Sequence, residues 1–144
     1  MLSRFLTIAP VLAVMTFMPT QTQAQRLALQ GGPVIIELDP ISTPVGEDRS
    51  SRLRWNQVRS PSKIMVSSST TAQRYDLYVD AIGVRRGEGV GEVKLVSGQP
   101  AQDFIIGVRE RGAGRCTLGY RAETRAEQGY GTEVHSVTYT ITGL

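Results

Sequence analysis

Tyr75-Asp76-Leu77-Tyr78-Val79-Asp80-Ala81 changes character at every step. Tyr75, Leu77, Val79 and Ala81 share one parity, and Asp76, Tyr78 and Asp80 share the other. Successive side chains of a strand point to opposite faces, so this stretch reads as a half-buried β-strand. The same period recurs on both sides of it. Val34, Ile36 and Leu38 alternate, as do Leu53 and Trp55, Ile64 and Val66, and Val93 and Leu95. Further on, Phe104, Ile106 and Val108 alternate, then Cys116, Leu118, Tyr120 and Ala122, then Val137, Tyr139 and Ile141. Ser60-Pro61-Ser62, Arg85 to Gly89, Gly112-Ala113-Gly114 and Gln128 to Gly131 supply turns between them, and Asp39 to Ser50 reads as a loop. No segment from about Gln25 onward has helical periodicity. About 7–8 short antiparallel strands with Gly/Pro turns predict an all-β domain, an immunoglobulin-like or Greek-key β-sandwich, with Trp55 as its core plug.

The strands before and after Gly112-Ala113-Gly114 invite a hairpin. Pairing Arg111 with Arg115 sets Val108 against Leu118, Ile106 against Tyr120 and Phe104 against Ala122, with every apolar residue on one face. That register leaves Arg109, Arg111, Arg115 and Arg121 on the outward parity, with Arg125 just beyond. Such a stripe is either an ordinary solvated sheet face or a docking surface for acidic polysaccharide, lipid headgroups or a protein. Tyr78 also takes an outward position, where an aromatic ring suits a carbohydrate.

Ahead of the strands stands a different kind of sequence. Arg4 precedes the apolar run Phe5 to Met15, and a small polar segment follows, ending Thr22-Gln23-Ala24-Gln25. A basic start, a short apolar core and a small-x-small exit describe a cleaved signal peptide over 1–24. The run is too short to remain as a membrane anchor, and no later segment is long enough to span. Residues 25–32 then form a short N-terminal arm and 33–144 the sandwich. The expected location is the periplasm, the cell surface or the medium.

The full chain has 144 residues, 40% hydrophobic and 20% charged, with formal net charge +3. About 120 residues remain after the leader, enough for one two-layer core. Removal of Arg4 with the leader takes one unit from an already small charge, and acids are spread among the arginines, so nucleic acid is not an expected partner. The single cysteine, Cys116, rules out a fold stapled within the chain by disulfides.

Chemistry finds little to work with. His135 is the sole histidine, and no Gly-x-Ser-x-Gly elbow accompanies it. It reads as a strand-end residue near the surface, and Cys116, on the apolar parity, reads as a buried hydrophobe rather than the partner of a Cys–His dyad. Zinc lacks ligands, and Asp39, Glu47 and Asp48, with Asp76 or Asp80, lack the spacing of a calcium loop. The Gly-rich stretch Gly83 to Gly91 lies between strands, not ahead of a helix, so it reads as a turn rather than a phosphate cradle. No cofactor, metal or catalytic set is expected.

Gly131 stands some way before the alternating Val137, Tyr139 and Ile141 at the end of the chain. In this the last stretch resembles the C-terminal strand of chaperone–usher fimbrial subunits, although the penultimate residue is Gly143 where those subunits usually carry an aromatic, and their common disulfide is missing. The resemblance implies assembly by strand donation onto an open sheet edge. The expected function is a non-enzymatic structural, adhesive or fibre-subunit role at the cell surface, with a protein partner or self-association. The alternative is a secreted or periplasmic module binding carbohydrate or another ligand through Tyr78 or Tyr130 and nearby arginines.

Overall fold

The computed structural model describes residues 2–9, 15–18, 26–31, 34–56, 61–109, 113–128 and 131–144. Alternation in the sequence becomes twelve strands among them: β1 (Leu2–Ala9), β2 (Met15–Met18), β3 (Arg26–Gln30), β4 (Ile35–Glu37), β5 (Val45–Asn56), β6 (Ser62–Ser69), β7 (Asp76–Arg85), β8 (Glu88–Gly89), β9 (Val93–Leu95), β10 (Gln102–Val108), β11 (Gly114–Glu123) and β12 (Glu133–Gly143). A 3-10 turn at Ala126–Gln128 is the one helical element among the described residues. Two sheets result. One has the order β2-β1-β12-β6-β10-β8, with β4 added in parallel to β1, and the other has the order β3-β5-β11-β7-β9. All other pairings are antiparallel, so the protein is an all-β sandwich.

The inward parities meet between the layers. Val34, Ile36, Leu38, Leu53, Trp55, Ile64, Val66, Tyr75, Leu77, Val79, Phe104, Leu118, Tyr120, Val137 and Tyr139 are all buried. Burial of this apolar surface is the main force closing the two sheets on one another. Trp55 fills the space that Gly114 leaves: a Cβ on Gly114 would lie 2.0 Å from the indole Nε1. Within the segment read as an arm, β3 pairs with β5, setting Leu27 beside Trp55 and Leu29 beside Leu53, and both leucines are buried.

From β3 onward each strand lies in the sheet opposite to its predecessor. The hairpin expected across Gly112-Ala113-Gly114 is therefore not formed. β10 pairs with β6 and β8, and β11 pairs with β5 and β7. Phe104, Val108, Leu118 and Tyr120 are buried all the same, because residues on the inner faces of two sheets meet as surely as residues on one face of one sheet. Ile106 departs from expectation too. The β10–β6 register shifts on either side of Ile105, which turns Ile105 into the core and leaves Ile106 38% exposed. The stretch Asp39 to Ser50 is loop only in part, since its second half opens β5 and pairs with β11 through Val45 to Asp48.

Candidate functional site

The strand pairing of β5, β11 and β7 places residues from distant parts of the chain side by side. Arg115 is directly opposite Arg54 on one side and Arg85 on the other. All three are exposed, as is Arg52, one step of the same parity away and opposite Thr117. Neighbouring strands run about 4.8 Å apart, so three guanidinium groups start from a line across the outer face of the five-stranded sheet. Like charges facing one another across strands oppose folding. No ion pair among the described residues involves Arg52, Arg54, Arg85 or Arg115.

A bulge sits beside this row. Between Arg115 and Thr117 the partner residues on β7 jump from Arg85 to Ile82, one more residue on β7 than on β11. Gly83 takes φ +63°, a left-handed conformation that suits glycine and that bulges use. With no side chain there, a hollow of about 300 Å³ opens, lined by Arg52, Gly83, Arg85, Arg115 and Thr117 and by part of Cys116. A second hollow of about 480 Å³ flanks the row, with Arg54, Arg85, Arg86 and Arg115 on its walls.

At the other end of the same face Arg121, Lys94 and Arg125 each have an acidic partner. Arg121 binds Glu92 through Nε at 3.0 Å and Nη2 at 2.5 Å, and its Nη1 reaches Glu123. Those bonds hold the Glu92 carboxyl below the usual carboxylate range. The Arg121 guanidinium also stacks over Tyr78, 4.1 Å from the ring centroid, with the Lys94 ammonium 5.9 Å from it. Lys94 and Arg125 both approach Asp76.

The stripe anticipated from the sequence is thus divided. Arg115 joins Arg54 and Arg85. Arg121 stacks on Tyr78 and binds two glutamates. Arg109 lies past the end of β10 in the other sheet, exposed near Glu88 and Gly107. Arg111 and Tyr130 fall outside the described residues. Arg54 and Arg85 were not singled out by sequence, because only the register brings them to Arg115.

His135 corrects its sequence reading. It is 0% exposed, with Nε2 2.5 Å from Glu133 Oε1, while Glu133 Oε2 accepts the Arg74 backbone N–H at 2.7 Å. The strand parity that buries Val137 and Tyr139 carries inward two residues more than the apolar pattern marks. His135 Nδ1 is buried with no hydrogen-bond partner among the described residues, which favours the tautomer whose Nε2–H points to Glu133 and leaves Nδ1 as a bare acceptor. Cys116 is buried on β11, and burial pushes its thiol from an ordinary 9.0 up to about 12, away from thiolate chemistry. Among the described residues no group of three His, Cys, Asp or Glu side chains is placed to hold a metal ion, and no helix is long and apolar enough to cross a membrane.

The edge of β12 is the second surface of interest. β1 lies along it from Leu2 opposite Tyr139 to Ile8 opposite Glu133. On its other side β1 carries β2 and, in parallel, β4, from Thr7 opposite Ile35 to Ala9 opposite Glu37. One strand, made from residues read as leader, therefore separates β12 from β4.

Comparison with protein-family models, curated proteins and solved structures finds no match to this chain.

Proposed function

We propose that the mature protein is an exported, non-enzymatic structural subunit of the cell surface that completes its larger sheet with a strand from a second copy. The observation that carries this reading is the position of Leu2–Ala9 between β12 and β4. With 1–24 cleaved, a gap one strand wide opens there. The backbone N–H and C=O groups of β12 on that side lose their partners, and an edge of this kind templates pairing with another chain. The C-terminal likeness to chaperone–usher subunits rests on the same strand, β12. A non-catalytic role accords with the buried His135–Glu133 pair and the raised Cys116 thiol.

The test is made on protein recovered from outside the cytoplasm. Intact mass places its first residue near Gln25, and light scattering finds dimers or larger species. A synthetic peptide of residues 2–9 added in excess returns them to monomers. Recovery of the chain with residues 1–24 still attached, or a strict monomer at high concentration, overturns the proposal.

A further inference from the structure

We propose that the Arg54–Arg115–Arg85 row binds an acidic polysaccharide, taking its carboxylates along a line across β5, β11 and β7. The inference does not depend on strand exchange at β12, which belongs to the other sheet.

Two observations and one geometric match carry it. Three arginines from separate strands are brought into direct opposition with no ion pair to a carboxylate among the described residues, while Arg121 and Arg125 on the same face are matched to Glu92, Glu123 or Asp76. The row is bordered by two hollows, one of them opened by the Gly83 bulge. A rod-like ligand crossing the strands meets one guanidinium per strand, and each planar fork matches a carboxylate with two parallel N–H donors. The exposed stems beside the hollows leave room for sugar rings between the charged contacts.

Two other polyanions fit less well. A surface that docks on lipid headgroups sets apolar side chains beside its basic ones for insertion. Among the described residues the large exposed apolar side chains are Ile35, Ile41, Val45, Val90, Val96, Ile106, Val134 and Leu144. None of them belongs to the row or its hollows. Of these only Val45 lies on β5, β7 or β11, and it pairs with Glu123 at the far end. Single-stranded nucleic acid is held by stacking its bases on aromatic rings. Trp55 is buried, and Tyr78 is covered by Arg121.

The test compares full-length protein with the triple variant Arg54→Gln/Arg85→Gln/Arg115→Gln and with a charge-matched control, Arg49→Gln/Lys94→Gln/Arg125→Gln. Binding is measured by titration calorimetry against polygalacturonate, neutral dextran and vesicles containing phosphatidylglycerol, at low and at raised salt. The expected result is binding to polygalacturonate that weakens with salt, falls at least ten-fold in the triple variant and changes less than two-fold in the control. Dextran gives no binding. Equal losses in both variants would reduce the effect to net charge and overturn the proposal. Absence of polygalacturonate binding, or tighter binding to the vesicles, would overturn it as well. Circular dichroism of both variants establishes that a loss is not unfolding.

Discussion

The hydroxyls of Tyr120 and Tyr139 meet at 2.6 Å in the interior, joining β11 of one sheet to β12 of the other. Both residues are essentially inaccessible to water. Sheets packed by apolar contact alone resist sliding only through side-chain shape, whereas this bond has direction and fixes one point of the first layer over one point of the second.

Removing either hydroxyl is expected to cost about 1–2 kcal/mol, the usual penalty for disturbing a buried hydrogen bond. Tyr120→Phe and Tyr139→Phe together are expected to cost less than the sum of the two, because the double variant leaves neither hydroxyl facing an apolar ring. A double-mutant cycle by urea unfolding measures the coupling, expected at about 1 kcal/mol. Strict additivity would show that the pair does not act as a unit.

Gly114 is expected to tolerate no side chain. Its missing Cβ is the room that Trp55 occupies, so Gly114→Ala forces the indole out of its place at a cost of about 2–3 kcal/mol. Fluorescence provides the readout, since Trp55 is the only tryptophan. Its emission shifts to the red in Gly114→Ala if the ring gains water, and an unshifted spectrum with unchanged stability would contradict the packing described.

Glu133 holds His135 and the Arg74 backbone N–H at once. Glu133→Ala leaves a buried imidazole and a partly buried amide without their acceptor, and is expected to destabilise by about 2–4 kcal/mol. Glu133→Gln retains an oxygen for Arg74 and is expected to cost about half as much. The ordering Ala worse than Gln, read from urea midpoints, is the outcome that matters.

Cys116 makes a prediction about alkaline pH. Its thiol ionises near 9 when the chain is unfolded and only at about 12 when folded. Between those values the unfolded chain has released a proton that the folded protein keeps, so this group's contribution to stability is complete below about pH 9 and is lost as pH rises toward 12. The slope is about 1.4 kcal/mol per pH unit. Cys116→Ala is expected to show a shallower decline than the parent between pH 9 and 10.5, and thiol reagents are expected to label the parent only on unfolding. Rapid labelling of the folded protein at pH 8 would refute the burial.

Much of the fold could be read from the order of residues, and the reason is local. A period of two tells which face of a strand each residue takes, and Leu77, Val79, Leu118 and Tyr139 are buried as that period requires. It does not tell which strand is the neighbour. Phe104 to Val108 and Cys116 to Ala122 have compatible patterns and a glycine-rich link, yet lie in opposite sheets, because facing inner surfaces satisfy burial equally well. Short irregularities escape as well: the register shift at Ile105 exchanges two isoleucines between core and solvent. The arginine row was illegible for the same reason, since Arg54, Arg85 and Arg115 are far apart in the chain and only the pairing of β5, β11 and β7 makes them adjacent. His135 was legible in principle. Counting back from Val137 puts it on the inward parity, and its polar character concealed that.

The outer face of the five-stranded sheet has unlike ends: arginines with no ion pair among the described residues where β11 begins, and cations offset by Glu47, Asp76, Glu92 and Glu123 where it finishes. A body with its positive charge gathered at one end experiences torque near an anionic layer. Such a torque would turn the start of β11 toward the layer before any contact is made.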